Sequence, residues 1–332
     1  MTDILLLMPE SHRLAVFGAD GQEKLARCGT VRVSPSCDYA DPAVAALIAG
    51  AEVIVTGTGT PKLDEWVLED APRLRAIVHT AGTVRPIVDV GAYDRGVQIS
   101  SQAPANALPV AEYALAMILL ELKGVRAIES VYRAARAEVD VDAILADSGN
   151  FDRTVGVIGA SVIGRRLIEL LAPFDLDILV YDPFLAHAEA EALGVARVEL
   201  PELLATSDLV TVHAPLLPET RGMIGAPELR MLRDGAVLVN TARGALIDQG
   251  ALEAELMAGR IRAVVDVTDP EVPPASSPLW DLPNLVLTPH VAGSRGHEMR
   301  RIGQRAVDEI ERFARGEALR YAVSRERYAT NA

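Results

Sequence analysis

Residues 153–182, RTVGVIGASVIGRRLIELLAPFDLDILVYD, limit the possible folds of this chain more sharply than any other stretch. Residues 155–158 are a short apolar run that reads as a buried strand, and Gly159 and Gly164 bracket a tight turn. Ile163, Leu167, Ile168, Leu170 and Leu171 then recur at helical spacing, and residues 178–181 form a second buried strand closed by Asp182. Strand, glycine turn, helix and strand in thirty residues make half of a nucleotide-binding site. The turn from Gly159 through Ala160, Ser161, Val162 and Ile163 to Gly164 lets a helix N-terminus aim its unpaired N–H groups at a pyrophosphate. Asp182 stands where a carboxylate accepts hydrogen bonds from the adenosine ribose hydroxyls. An acid there disfavours the extra phosphate of NADP, and no Lys or Arg follows in residues 183–186 to offset it, so NAD is the expected cofactor. Ser161 takes the place of the second glycine in a GxGxxG fingerprint; it is small and can donate a hydrogen bond, so it reads as a tolerated variant. Taken alone, the stretch also fits a βαβ unit that binds no nucleotide.

Around this stretch, 332 residues suggest two domains. Half of the residues are apolar and few are aromatic, so the cores are expected to be built from Ala, Val, Ile and Leu. A formal charge of −14 argues against a nucleic-acid or anionic-membrane surface, since both need a basic footprint. It does not exclude a small acidic substrate, because one arginine in a pocket overrides the global field. Cys28 and Cys37 are too few for a disulfide framework or a zinc cluster, and they read as two buried thiols in a reducing compartment; no metal is expected. The apolar start at residues 1–8 has no basic leader and meets Pro9 at once, so it reads as a first strand. The longest greasy segment, residues 108–122, is interrupted by Glu112 and Glu121 and reads as too short to span a bilayer. A cytoplasmic protein is expected.

The first hundred residues alternate strand and helix, with strands expected at 4–8, 30–33, 53–56, 76–79 and 97–100. That alternation implies a parallel sheet covered on both faces, with sites beyond the carboxyl ends of the strands. The loops 57–59 and 79–83 are therefore of interest. Residues 106–122 read as a helix apolar almost all round, buried within the protein or against a second subunit, and 123–150 as a polar crossover. After Asp182 the alternation resumes, with strands expected at 208–213, 236–240, 263–267 and 285–288. Two α/β units in one chain suggest a cleft between them. The later strand ends converge in polar residues: His213-Ala214-Pro215, Asn240-Thr241-Ala242-Arg243-Gly244, Asp266 and Thr288-Pro289-His290.

In order and spacing, VGVIGASVIGR, VYDPF, HAPLLPET, NTARGALID, VVDVTDPE and SPLWDLPNLVLTPHVAGS resemble the D-isomer-specific 2-hydroxyacid dehydrogenase family. The resemblance covers nearly the whole chain and is most specific over residues 155–294. It implies two Rossmann-like doubly wound parallel-sheet domains with a cleft between them. The substrate domain would comprise residues 1–102 and 295–332, the NAD-binding domain residues 103–294, and the assembly would be a homodimer. It further implies that Arg243 binds the substrate carboxylate and polarises the carbonyl oxygen, a task its planar fork suits. His290 would exchange a proton with that oxygen, its pKa lying near working pH. Glu271 would pair with His290 and favour its protonated form. Val272 stands where the family has proline after that glutamate, which leaves Asp269 as an alternative.

Asp266 matches a residue near the nicotinamide carboxamide. His213, Ala214, Pro215, Thr220, Thr241, Ala242 and Gly293 match other cofactor-lining positions, and Gly82 and Thr83 the loop whose N–H groups hold the substrate carboxylate. HTAGTVRP departs from the family's usual glycine-rich text at that loop, and Val162 stands where the family often has a basic residue. His12, His187 and His297 read as surface residues, while His79 is placed near substrate. The activity implied is reduction of a 2-oxo acid by NADH, with closure of the two domains assembling the site. No second anion site is evident, which favours a small or medium uncharged side group on the substrate. The polar segment 321–332 is expected to fray or lie on the surface. The alternative reading is a non-enzymatic dinucleotide sensor or partner-binding protein on the same fold.

Overall fold

The computed structural model describes residues 1–328, which form two compact units, Met1–Asn106 with residues 294–328 and Ala107–Gly293. The first unit is a five-stranded parallel sheet of β1 (Thr2–Leu6), β2 (Gly29–Val33), β3 (Val53–Thr56), β4 (Ala76–His79) and β5 (Gln98–Ser101), in the order β2-β1-β3-β4-β5. Its central strands are buried on both faces, as parallel strands covered by crossover helices must be. Successive residues feed opposite cores: Leu5, Ile54, Ile77 and Ile99 point to one, Ile4, Leu6, Val53, Val55 and Val78 to the other. The second core is closed by the helices Glu10–Cys28 and Met299–Ala314, where a Cβ on Gly303 would lie 2.1 Å from the Val16 carbonyl oxygen.

The second unit is a seven-stranded parallel sheet of β6 (Arg153–Ile158), β7 (Leu176–Tyr181), β8 (Ala196–Arg197), β9 (Leu209–Val212), β10 (Val237–Asn240), β11 (Arg262–Val265) and β12 (Leu285–Leu287), ordered β12-β11-β10-β9-β6-β7-β8. The same alternation recurs. Val237, Val239 and Val264 enter one core, and Leu238, Ala263 and Val265 the other. Strand order reverses at β6, which pairs with β7 on one side and β9 on the other. Ligands of doubly wound sheets bind at such a reversal, beyond the carboxyl ends of its two central strands.

Three expectations change. The long apolar helix runs over Ala103–Leu122, twenty residues, and among the described residues it is the one helix long and apolar enough by length and composition to cross a membrane. Half of its most apolar window is buried in the protein itself. Ala111, Ala114, Ile118 and Leu122 enter the core of the second unit, and buried Glu121 pairs with Arg262 at 2.9 Å. The crossover that follows is partly helical, at Val125–Ala135 and Val141–Ile144. Cys28 and Cys37 are free thiols, half-buried rather than buried.

The tail is also docked rather than loose as far as it is described. Ala322 bridges Ser100 antiparallel to the sheet, the Val323 N–H donates to the Ile99 carbonyl at 2.7 Å, and Val323 is buried. Glu309, fully buried on the helix Met299–Ala314, accepts the N–H groups of Arg320 and Tyr321 at 2.9 and 3.0 Å. Residues 329–332 of the expected surface segment lie outside the described residues. Most of residues 321–328 lie on the surface as expected, and a buried carboxylate together with Val323 fixes the start of the segment. Glu309→Ala would strand two backbone donors at about 1–3 kcal/mol each. Thermal unfolding should show the loss in stability, and limited proteolysis should show cleavage within residues 317–328.

Candidate active and nucleotide site

The glycine turn sits at the strand-order reversal. Gly159 has φ +96°, a conformation L side chains rarely adopt, and a Cβ there would lie 2.8 Å from the Ala214 backbone nitrogen. A Cβ on Gly164 would lie 2.0 Å from the Gly159 carbonyl oxygen. Only glycines permit this approach of turn, helix and β9 end. Ser161 has φ −65° and ψ −178°, extended backbone open to any residue, which is why glycine is not required there. Its hydroxyl caps the helix Val162–Leu171 by accepting the Gly164 N–H at 3.3 Å. Val162 is exposed on the first turn, while Ile163 packs into the core beneath it.

Arg165, which the motif does not single out, lies along the turn: its Nε donates to the Ala160 carbonyl at 3.0 Å and its guanidinium pairs with Glu189 at 3.4 Å. It places a positive charge about one helical turn beyond the position where the family often has a basic residue. Asp182 lies beside the same turn. One carboxylate oxygen accepts the Ala160 N–H and the other the Phe184 N–H, both at 2.8 Å. Each oxygen has a second lone pair for a ribose hydroxyl.

His213 and Ala214 follow β9 directly and are buried. His213 Nε2 lies 2.9 Å from Thr211 Oγ1, and burial pushes its pKa down to about 4. Thr220 fastens the loop that starts at Pro215, donating to the Pro215 carbonyl at 2.6 Å and accepting the Leu217 N–H at 2.8 Å. Among the described residues, His213 Nδ1 and Thr241 Oγ1 are buried polar atoms with no hydrogen-bond partner. With the glycine turn at the strand-order reversal, these two orphans at the carboxyl edge of the sheet fit a dinucleotide.

Beyond β10, Asn240 shapes the turn that carries Arg243. Its side-chain oxygen accepts the Ala242 N–H at 3.0 Å and its amide donates to the Arg243 carbonyl at 2.9 Å. Gly244 packs on the backbone of the loop after β11, where a Cβ would lie 2.1 Å from the Thr268 carbonyl carbon. Burial pulls the Arg243 pKa down, and the nearby Glu271 charge opposes this. Thr268 in turn donates to the Glu271 carbonyl at 2.9 Å, fixing the loop.

Beyond β12, His290 adopts φ +54°, and its Nδ1 lies 2.5 Å from Glu271 Oε1. Asp269, the alternative acid, is instead engaged by Arg221 at 3.2 Å. Asp266 is almost wholly buried and ties down the His290 loop: Oδ1 accepts the Val291 N–H at 2.8 Å and Oδ2 the Ala292 N–H at 2.9 Å. Its backbone carbonyl accepts the His290 N–H at 2.8 Å. Gly293 ends the unit one residue later. The structure thus brings Arg243, Glu271 and His290 together, with Asp266 as the anchor beneath them.

In the first unit, Gly82 and Thr83 follow β4, and the Ser101 hydroxyl donates to the Gly82 carbonyl. Two histidine readings are corrected there. His79 is buried and its Nδ1 lies 2.9 Å from Thr56 Oγ1, so it is a core residue; burial first, and then the His12 charge, push its pKa down to about 3. His12 is half-buried rather than on the surface, with Nε2 2.9 Å from Thr80 Oγ1. His187 and His297 are exposed.

Residues 115–292 match the sequence model of the D-isomer specific 2-hydroxyacid dehydrogenase NAD binding domain. The chain is 32% identical over 275 residues to a D-3-phosphoglycerate dehydrogenase of Archaeoglobus fulgidus, covering 82% of this chain and 51% of that protein. It thus spans about half the length of the first curated relatives it matches. A glyoxylate reductase of Korarchaeum cryptofilum is 33% identical over 261 residues, 78% of each chain. Among solved structures, a protein of Thermus thermophilus aligns over 97% of this chain and 99% of its own, with a TM-score of 0.78 and 25% identity. In fold alone, a D-lactate dehydrogenase of Aquifex aeolicus, crystallised with NAD and lactic acid, aligns over 95% of this chain and 96% of its own, with a TM-score of 0.72 and 24% identity.

Buried His79 and His213 set a pH dependence, to which half-buried His12, also lowered by burial, adds. His79 and His213 are neutral when folded and return to about 6.5 when unfolded, so below that pH the unfolded chain binds protons the folded one does not. Stability should be full above pH 6.5 and fall by up to about 1.4 kcal/mol per pH unit per histidine as pH drops toward 4. Urea unfolding at about pH 7.5 and about pH 5 measures it, and His213→Asn should flatten the dependence.

Proposed function

This chain belongs to the D-isomer specific 2-hydroxyacid dehydrogenase family, and we propose on that basis that it is an NAD-dependent oxidoreductase interconverting a 2-oxo acid and a D-2-hydroxy acid. The observation that carries the reading is the meeting of His290 and Glu271 at 2.5 Å, with Arg243 close enough for its charge to feel Glu271. NADH, when bound, supplies the hydride that reduces the keto carbon. The glycine turn, Ser161, Arg165, Asp182, His213 and Thr241 would hold it, the helix N-terminus serving the pyrophosphate and Asp182 the ribose if it binds there.

Arg243 binds the substrate carboxylate through two parallel N–H bonds and polarises the carbonyl oxygen. With Nδ1 held by Glu271, Nε2 is the nitrogen through which His290 gives a proton to that oxygen, and takes it back in the reverse direction. The Glu271 charge stabilises the imidazolium before transfer. Gly82 and Thr83 contribute further to substrate binding. The two free cysteines suit a reducing, cytoplasmic setting. We read the assembly as a homodimer, because Val125, Ile128 and Tyr132 share one face of a helix that has no buried residue.

NADH consumption should be measured with a panel including glyoxylate, hydroxypyruvate, pyruvate, a branched 2-oxo acid and a phosphorylated one. His290→Gln should lower kcat by at least ~100-fold, the scale of a lost general acid. Arg243→Lys should raise KM for the acid and lower kcat, and NADPH should serve poorly. NADH binding without reduction of any acid would instead establish the dinucleotide sensor. Tyr132→Asp should halve the mass seen by light scattering.

A further inference from the structure

Tyr113, on the helix Ala103–Leu122, places its phenol oxygen 3.0 Å from Thr288 Oγ1. Thr288 Oγ1 in turn lies 2.6 Å from Asp266 Oδ1. The direction of these bonds follows from proton counting. A carboxylate has no proton to give and a threonine hydroxyl has one, so the Thr288 proton goes to Asp266. The phenol must then be the donor to Thr288. The same Asp266 carboxylate accepts the Val291 and Ala292 N–H groups, and its backbone carbonyl accepts that of His290.

We propose that Tyr113 is a positioning residue for His290, acting through Thr288 and Asp266 to hold the loop of residues 288–292 and so keep the imidazole where Glu271 meets it. His290 sits at φ +54°, a backbone conformation its side chain does not favour, so the loop needs restraint from outside itself. That restraint is a charge-assisted chain of hydroxyls ending on a buried anion, in which each bond polarises the next. Burial and the Asp266 charge push the Tyr113 phenol up, which keeps it a donor throughout the working range. Its hydroxyl meets Thr288, and its effect reaches His290 through Asp266.

This inference rests on the dehydrogenase reading for its catalytic consequence and on the loop geometry alone for its structural one, and the test separates them. Tyr113→Phe removes one oxygen and keeps the ring; Thr288→Val removes the hydroxyl and keeps both backbone bonds to Asp266. Each should lower kcat by about five- to tenfold, and the double variant no further, because the two act in series. KM for NADH should change less than kcat, since the glycine turn and Asp182 are untouched and Asp266, matched to a cofactor-lining position, keeps its two backbone bonds. Amide hydrogen exchange at Val291 and Ala292 should quicken by about tenfold in Tyr113→Phe, while the Gly159 amide, bonded to the Tyr181 carbonyl, stays protected. Effects that multiply in the double variant, or exchange and kcat that do not change, overturn the proposal. If the wild-type chain reduces no acid, the dehydrogenase reading fails; exchange at residues 291 and 292 then decides the positioning role, and unchanged protection refutes it.

Discussion

Parallel pairing in both sheets sets the terms for the whole molecule. A parallel strand must be followed by a crossover before the next can pair, so each strand ends on the same edge of its sheet and each loop there is available for chemistry. In the second unit the ends of β6, β9, β10, β11 and β12 carry Gly159, His213, Arg243, Asp266 and His290. Residues far apart in sequence become neighbours because five strands deliver them to one edge. The hydrophobic alternation of valines and leucines between two cores keeps that delivery in register.

Within the edge, the work divides between backbone and buried charge. The nucleotide turn is a backbone device: Gly159 and Gly164 admit the close approach of helix and strand, and Ser161 completes it with a hydroxyl cap. The proposed proton-transfer end is a carboxylate device. Glu271 meets the imidazole directly, and Asp266 holds the loop that bears it, accepting two backbone N–H groups and one hydroxyl proton. A buried carboxylate satisfied in this way is costly to disturb, since losing one partner leaves the remaining charge uncompensated. Glu309 uses the same device in the first unit, where it ties the tail to the helix Met299–Ala314.

The family resemblance placed Asp266 beside the cofactor, and the structure adds a second task for it. All three donors described at its side chain come from residues 288–292, so it braces the loop that bears His290. Arg165 is a comparable case. Helical spacing alone gives an arginine one turn into a helix no distinction, yet its bond to the Ala160 carbonyl brings a positive charge over the turn.

Periodicity and fixed spacing from a strand were enough to read the class of fold, the position of the glycine turn and its acidic partner Asp182 from the amino acids alone. The family's spacing added the candidates Arg243, Glu271 and His290. Strand boundaries were legible to within a few residues because alternation and turn residues are local signals. Features made by contacts between distant segments became legible in the folded chain. Residues 320 and 321, at the start of the tail, dock because Glu309, on another element, accepts their N–H groups. His79 is a core residue because Thr56 satisfies its ring from the neighbouring strand. Glu271 rather than Asp269 meets His290 because the folded loop brings its Oε1 to 2.5 Å from Nδ1. Tyr113 looked like one more residue of an apolar helix, and its hydroxyl acquired meaning only when folding brought Thr288, 175 positions away, within 3.0 Å. A hydrogen bond between remote residues leaves no period in a sequence, so these features could emerge only from the fold.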